Sequence, residues 1–158
     1  MNVILDTNIF IGAFFENNKD CSLILKEEKN GEFELIMSHE MQEELNRILH
    51  SSFKKYEFTA SQIEIIFKML SKALLRTTNI KPSHNFSKCS DKDDNMFFSC
   101  AIDGNANYII SKDAHIHALK DDKNPIKNKN KEEIKILYPD EFIMELKKIK
   151  LVANFSNH

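Results

Sequence analysis

Glycine and proline are scarce, three of each in 158 residues, which disfavours a turn-rich all-β fold and favours long helices. Cysteine is equally scarce. Cys21, Cys89 and Cys100 are odd in number, far apart and never in a C-x-x-C pair. That argues against a disulfide frame or a thiolate zinc site and fits buried or free thiols in a reducing cytoplasm. No apolar run approaches the ~20 residues of a membrane span, so no membrane partner is expected. The amino terminus has no basic region before its apolar run, and Asp6 interrupts that run early, so no signal peptide is expected. No internal repeat or domain linker is apparent. What is present is an ordinary globular composition, 42% hydrophobic and 29% charged with a net charge of −2, and the length suits one domain over residues 1–150 with a short tail over 151–158. Net charge decides little about nucleic acid, because a cation-filled acidic site cancels several negatives locally.

The hydrophobic pattern alternates between strand and helix. Asn2–Leu5 reads as a short buried strand, followed by a helix through Ile9, Phe10, Ala13 and Phe14. A second helix over Asp20–Asn30 stops at Gly31, and Phe33–Met37 is the next strand, with Ser38 placed to cap the helix carrying Met41, Leu45, Ile48 and Leu49. Thr59-x-x-Gln62 predicts a capping box, and Ile63, Ile66, Phe67, Leu70 and Leu74 follow at helical spacing. A loop around a short third strand fills 77–90. A helix over Asp93–Ile102 ends at Gly104, a strand follows at Asn107–Ile110, and Lys120–Glu133 is a surface excursion. Ile134–Leu137 is the last strand, and Pro139 opens the final helix. Strands separated by helices imply an α/β fold, a parallel sheet covered on both faces.

Two acids stand just beyond apolar strands: Asp6 after Val3-Ile4-Leu5, and Asp113 three residues after Ile110. Carboxylates at the carboxyl ends of strands lie where open α/β sheets place their chemistry. Each also has a plainer role as a helix N-cap, which for a lone Asp is the favoured explanation. Two such junctions weaken it. Thr7 and Asn8 beside Asp6 are short polar groups suited to orienting a carboxylate. Asp91, Asp93 and Asp94 precede a helix, where acids stabilise the dipole by roughly 0.3–1 kcal/mol each; three exceed one cap's need, and Asp94 lies at the edge of the buried stripe. Glu40, Glu43 and Glu44 share one helix, and spacing alone does not separate Glu44 from Glu40. Carboxylates gathered in one place repel, so such a cluster is expected to hold a hard divalent cation. His115 and His117, two apart on a helix, point in different directions and do not share an ion.

Taken in order, Val3-Ile4-Leu5-Asp6-Thr7-Asn8, Ser38-His39-Glu40-Met41-Gln42-Glu43-Glu44-Leu45, Asp91-Lys92-Asp93-Asp94-Asn95-Met96-Phe97, Ala106-Asn107-Tyr108-Ile109-Ile110-Ser111-Lys112-Asp113 and Ile136-Leu137-Tyr138-Pro139-Asp140-Glu141-Phe142 resemble the PIN-domain nucleases. The resemblance is strongest to the branch of toxin components of bacterial toxin–antitoxin systems. It implies a three-layer α/β/α sandwich with a central, mostly parallel sheet, and an acidic quartet at Asp6, Glu44, Asp94 and Asp113. It thereby selects Glu44 and Asp94 among their neighbours. The implied activity is hydrolysis of single-stranded RNA with Mg²⁺ or Mn²⁺, held directly by Asp6 and Asp94, with Asp113 as ligand or water-positioner and Glu44 as ligand or outer base. Thr7, Asn8, Ser111, Asp91 and Asp93 would surround that centre. A cognate antitoxin covering the acidic crevice, self-association and a cytoplasmic location are also implied. Two departures stand out: Lys92 occupies a position where this branch commonly has proline, and Ser111-Lys112-Asp113 replaces the more usual Thr-Gly-Asp, which brings a long cation near the site. A non-cleaving RNA- or partner-binding module and a DNA nuclease are the competing expectations. An aspartyl-phosphate phosphatase of the haloacid-dehalogenase type is a further rival, but Asn8 stands where those enzymes have a second Asp.

Overall fold

The structure is a computed structural model in which residues 1–156 are described. Five strands, β1 (Asn2–Leu5), β2 (Glu34–Ser38), β3 (Thr78–Ile80), β4 (Tyr108–Ile110) and β5 (Lys135–Leu137), form one sheet in the order β3-β2-β1-β4-β5. Every neighbouring pair is parallel, so the expected mostly parallel sheet is parallel throughout. The connecting helices are α1 (Thr7–Phe14), α2 (Lys19–Lys29), α3 (His39–Lys55), α4 (Ala60–Arg76), α5 (Asn95–Asp103), α6 (Ala114–His117) and α7 (Pro139–Ser156). They cover both faces of the sheet. Because strands are buried on both sides, β1 and β4 are continuous apolar runs, with Val3, Ile4, Leu5, Ile109 and Ile110 at or near zero exposure. α7 carries the chain through 151–156 of the expected tail; residues 157 and 158 lie outside the described residues.

Local signals account for most element boundaries. Ser38 Oγ accepts from the Met41 N–H, and Thr59 and Gln62 form the capping box. α2 ends in a Schellman motif: Gly31 has φ +78°, its N–H donates to Glu28 O and the Glu32 N–H donates to Glu27 O. α5 ends at Gly104, as expected. The left-handed residue is Asn105 (φ 51°), and the Ala106 N–H closes the motif on Ala101 O. Gly104 is there for space instead. A Cβ on it would lie 2.5 Å from Ile36 Cδ1 and 2.9 Å from Cys100 O. Ile36 Cδ1 is the end of a side chain, but the Cys100 oxygen is backbone, so Gly104→Ala should cost about 1–3 kcal/mol in urea unfolding. An unchanged midpoint would show that the α5–β2 contact yields easily.

The Lys120–Glu133 excursion is pinned to the body more firmly than its composition suggests. Asn128 is buried, donating from Nδ2 to Ala106 O at 3.1 Å, and the Lys129 N–H donates to Ile102 O. Lys129 pairs with Asp103 at 2.7 Å. Burial raises the Asp103 pKa, but Lys129 and the His84 and Ser83 N–H groups more than offset this and hold it at about 2.

Candidate active site

Sheet order sets the location. From β1 the chain crosses to β2 on one side, while β4 lies on the other, so the β1/β4 boundary is a topological switch point. The pairing Leu5↔Ile110 places Asp6 beside Ser111 just past the strand ends, and the Asp6 N–H donates to Ile110 O at 3.0 Å. Asp6 is 6% exposed. It does cap α1, with Oδ1 accepting from the Asn8 N–H at 3.2 Å. Its other oxygen, Oδ2, accepts from Asn8 Nδ2 at 2.6 Å and from the Ser111 hydroxyl. The cap and the site are thus two uses of one carboxylate.

Ser111 is the hub of this corner. Its Oγ donates to Asp6 and accepts from the Asp113 N–H at 2.9 Å and from Asn8 Nδ2 at 3.3 Å. Asn8 is held in that orientation because the Lys112 N–H donates to its Oδ1 at 3.2 Å. Asp113 caps α6, Oδ1 accepting from the His115 N–H at 2.7 Å. The Lys112 side chain does not reach the acids. Its Nζ pairs with Glu16 at 2.6 Å on the α1 side.

Glu44 separates from its neighbours here. Its Oε2 accepts from the Thr7 hydroxyl at 3.2 Å, whereas Glu40 is exposed and Glu43 pairs with exposed His39 at 3.2 Å. Asp94 stands at the N-cap position of α5 but makes no side-chain capping bond; Cys89 Sγ, at 3.9 Å, is the group against its Oδ2. Asp91 and Asp93 are exposed, Asp91 accepting from the Asp93 N–H at 3.0 Å.

The electrostatics tie the four acids together. Burial and the negative charges of Asp6, Asp113, Asp91 and Glu44 push Asp94 up to about 7. Asp6 is raised by burial and Asp113, against the lowering effect of its Ser111 and Asn8 hydrogen bonds. Glu44 is raised by burial and by Asp6 and Asp93, partly offset by Thr7 and Arg47. Among the described residues, no ion pair includes any of the four. Hard oxygen donors with mutual, uncompensated repulsion fit a divalent cation such as Mg²⁺ or Mn²⁺. Among the described residues, no three His, Cys, Asp or Glu side chains form a ready-made cage, so a cation held here would complete its shell with water.

A groove of about 580 Å³ adjoins Glu44, lined by Arg47, Asn85, Lys92, Asn95 and Met96 among others. Its two cations are Arg47 and Lys92. Arg47 lies three residues after Glu44 on the same helical face, a spacing legible in the sequence that would have found it. His115 and His117 diverge as expected, to Ser90 Oγ at 2.9 Å and to Ser111 O at 2.8 Å.

The profile of the PIN domain family matches residues 2–115. The chain belongs to the PIN-domain family. An uncharacterized protein of Methanocaldococcus jannaschii is 30% identical over 156 residues, covering 94% of this PIN protein and 93% of that one. The crystal structure of VapBC2 from Rickettsia felis bound to a DNA fragment from their promoter contains a chain with the same fold, at TM-score 0.53 and 18% identity over 86% of this PIN protein and 98% of that chain. PIN domains are in general nucleases and typically use divalent metals. Among the described residues, no helix is long and apolar enough to cross a membrane.

Proposed function

We propose that this PIN protein is a metal-dependent endoribonuclease acting on single-stranded RNA, and the toxin of a toxin–antitoxin pair in the cytoplasm. The observation that carries the catalytic part is the linked corner at the switch point, where Ser111 joins Asp6 to Asp113 while Thr7 holds Glu44 toward the same crevice. The toxin assignment is supported by the PIN family match and by the fold shared with a chain of the VapBC2 complex.

Asp6, Asp94, Asp113 and Glu44 would hold one or two Mg²⁺ or Mn²⁺ ions, which when bound supply Lewis acidity at the phosphate and lower the pKa of water. Asn8 and Ser111 fix the Asp6 carboxylate by donating to Oδ2, leaving it one orientation toward the crevice. Thr7 does the same for Glu44. Asp94, with its pKa near 7, carries a proton part of the time at neutral pH and gives it up when a cation compensates its neighbours. Glu44, less buried than Asp6 and also raised, is placed to take a proton from an attacking water. Arg47 and Lys92 bind the phosphates flanking the scissile one along the groove. An antitoxin would silence the site by placing a cationic side chain among the same acids.

The test is incubation of the purified protein with single-stranded RNA and DNA oligonucleotides in Mg²⁺, Mn²⁺ or EDTA. Cleavage of RNA in either metal, abolished by EDTA and restored by Mn²⁺, is expected. Undiminished cleavage in EDTA would overturn the metal requirement, and RNA binding without turnover would favour a non-cleaving module.

A further inference from the structure

His117 and Tyr138 form an aromatic pair beside the acids that neither the acidic corner nor the core uses. Their rings are stacked, with centroids 3.6 Å apart and planes 5° from parallel. His117 comes from α6, and Tyr138 is the residue between β5 and α7. Each is held by something other than the stack. His117 Nε2 lies 2.8 Å from Ser111 O; a carbonyl only accepts, so this nitrogen carries the proton and the ring plane is set. Tyr138 is fixed through its backbone, its N–H donating to Glu141 Oε2 at 2.8 Å and its carbonyl accepting from the Phe142 N–H at 3.0 Å. The neighbouring core is closed without it, by Ile136 and Phe142, both buried, while Tyr138 remains 40% exposed. Its hydroxyl makes no hydrogen bond among the described residues.

Sheet register puts this pair in line with the acids. Leu5 pairs with Ile110, and Ile110 with Leu137. The residues immediately following, Asp6, Ser111 and Tyr138, therefore stand side by side just past the ends of three adjacent strands. At roughly 4.8 Å per strand, the backbone of Tyr138 is about 10 Å from that of Asp6 along the carboxyl edge of the sheet. The groove containing Arg47 lies on the other side, against α3. A nucleic acid strand crossing the acids from that groove would run onto the aromatic pair.

We propose that the His117–Tyr138 pair is a stacking platform for a nucleobase of the substrate strand, positioning the nucleotide next to the scissile phosphate. The inference rests on the nuclease reading above. Every base offers a π face, so such a platform tolerates any sequence and contributes grip and register rather than base identity. The histidine backs the tyrosine ring and is itself tied to Ser111, so the platform is rigidly connected to the residue that holds Asp6. Tyr138 thus contacts the substrate base directly and takes no part in breaking the phosphodiester bond.

The experiment measures binding of a short single-stranded RNA by fluorescence anisotropy in EDTA, where no cutting occurs, for wild type, Tyr138→Phe and Tyr138→Ala. A parallel series of oligonucleotides carries one abasic position each. Tyr138→Ala should weaken binding about tenfold, within the range for a base–aromatic stack, while Tyr138→Phe stays near wild type. One abasic position should cost wild type a similar factor and cost Tyr138→Ala almost nothing more, because the two changes remove the same contact. In Mn²⁺, the alanine variant should raise KM with little change in kcat. Equal binding by wild type and Tyr138→Ala, or an abasic penalty that persists undiminished in the variant, would overturn the platform. Cleavage in Mn²⁺ with no Tyr138 dependence rejects the platform and leaves the nuclease reading standing. Tyr138-dependent binding with no cleavage in any metal supports the platform and removes the catalytic reading.

Discussion

Asp6→Asn should lower cleavage of single-stranded RNA in Mn²⁺ by at least about a hundredfold, the scale on which removal of one preorganised charge-stabilising group is felt. Asparagine is the informative replacement because Asp6 has two duties. An amide oxygen can still accept from the Asn8 N–H, so the cap on α1 survives; alanine would lose it at a cost of about 1 kcal/mol. What the amide cannot do is contribute negative charge to a cation. The Asn8 and Ser111 donors that converge on Oδ2 would meet an NH₂ group there. The serine hydroxyl can rotate to accept from it, whereas Asn8 is held by the Lys112 N–H. Relief of a buried carboxylate offsets part of that mismatch, since burial already disfavours the charged form of Asp6. The fold should therefore persist, with a thermal midpoint within a few degrees of wild type. Equal turnover by wild type and variant would remove Asp6 from the chemistry.

Asp94→Asn should do the opposite to stability and activity at once. The carboxyl titrates near 3.8 when unfolded and at about 7 when folded, through burial and four neighbouring acids. Between those values the folded chain binds more protons than the unfolded one, so stability falls as pH rises through the interval. The favourable protonated form is fully present below about pH 4 and is lost as pH passes 7. In EDTA at pH 8, Asp94→Asn should thus be more stable than wild type by about 1–2 kcal/mol, the nominal gain being reduced because the carboxyl is only half-buried and water screens it. The difference should shrink toward pH 4. Mn²⁺ should reverse the order, because a ligand that binds only the folded state stabilises by about 2.7 kcal/mol at a hundred times its Kd, and the variant forfeits that affinity. The same replacement should reduce cleavage at least about a hundredfold. Denaturant titrations at pH 5 and pH 8, with and without Mn²⁺, decide the matter. A variant less stable than wild type in EDTA at pH 8 would show that Asp94 is held by favourable contacts and not by geometry alone.

These two acids differ in how visible they were along the chain. Asp6 announces itself because a charge directly after Val3-Ile4-Leu5 is costly unless it ends a strand. The alternation of strands and helices, the capping box at Thr59, Gly31 after α2 and Pro139 before α7 are likewise local: each depends on residues within one turn of one another. Those signals determined the order of elements and the parallel sheet. They also placed Asp6 and Asp113 at strand ends, without deciding whether either was more than a cap.

Tertiary structure decided the rest, because the relevant distances run across strands. Glu40 and Glu44 share a helical face; the family resemblance favoured Glu44, and the approach of Thr7 from another segment is the physical contact that sets it apart. Spacing leaves Asp94 one acid among three and the resemblance singles it out, but only the fold supplies the reason, by gathering Asp6, Asp113 and Glu44 around it. Lys112 looked like a cation for the site, and in the fold it pairs with Glu16 instead. Gly104 was legible as the end of α5, but the close approach of Ile36 and the Cys100 oxygen, which keeps a side chain out, was not. Ser111 and Tyr138 lie far apart in the chain and become neighbours through the register of β4 and β5. The sequence by itself determined which chemistry was on offer at each strand end; sheet register, a long-range property with no local code, determined which of those ends meet.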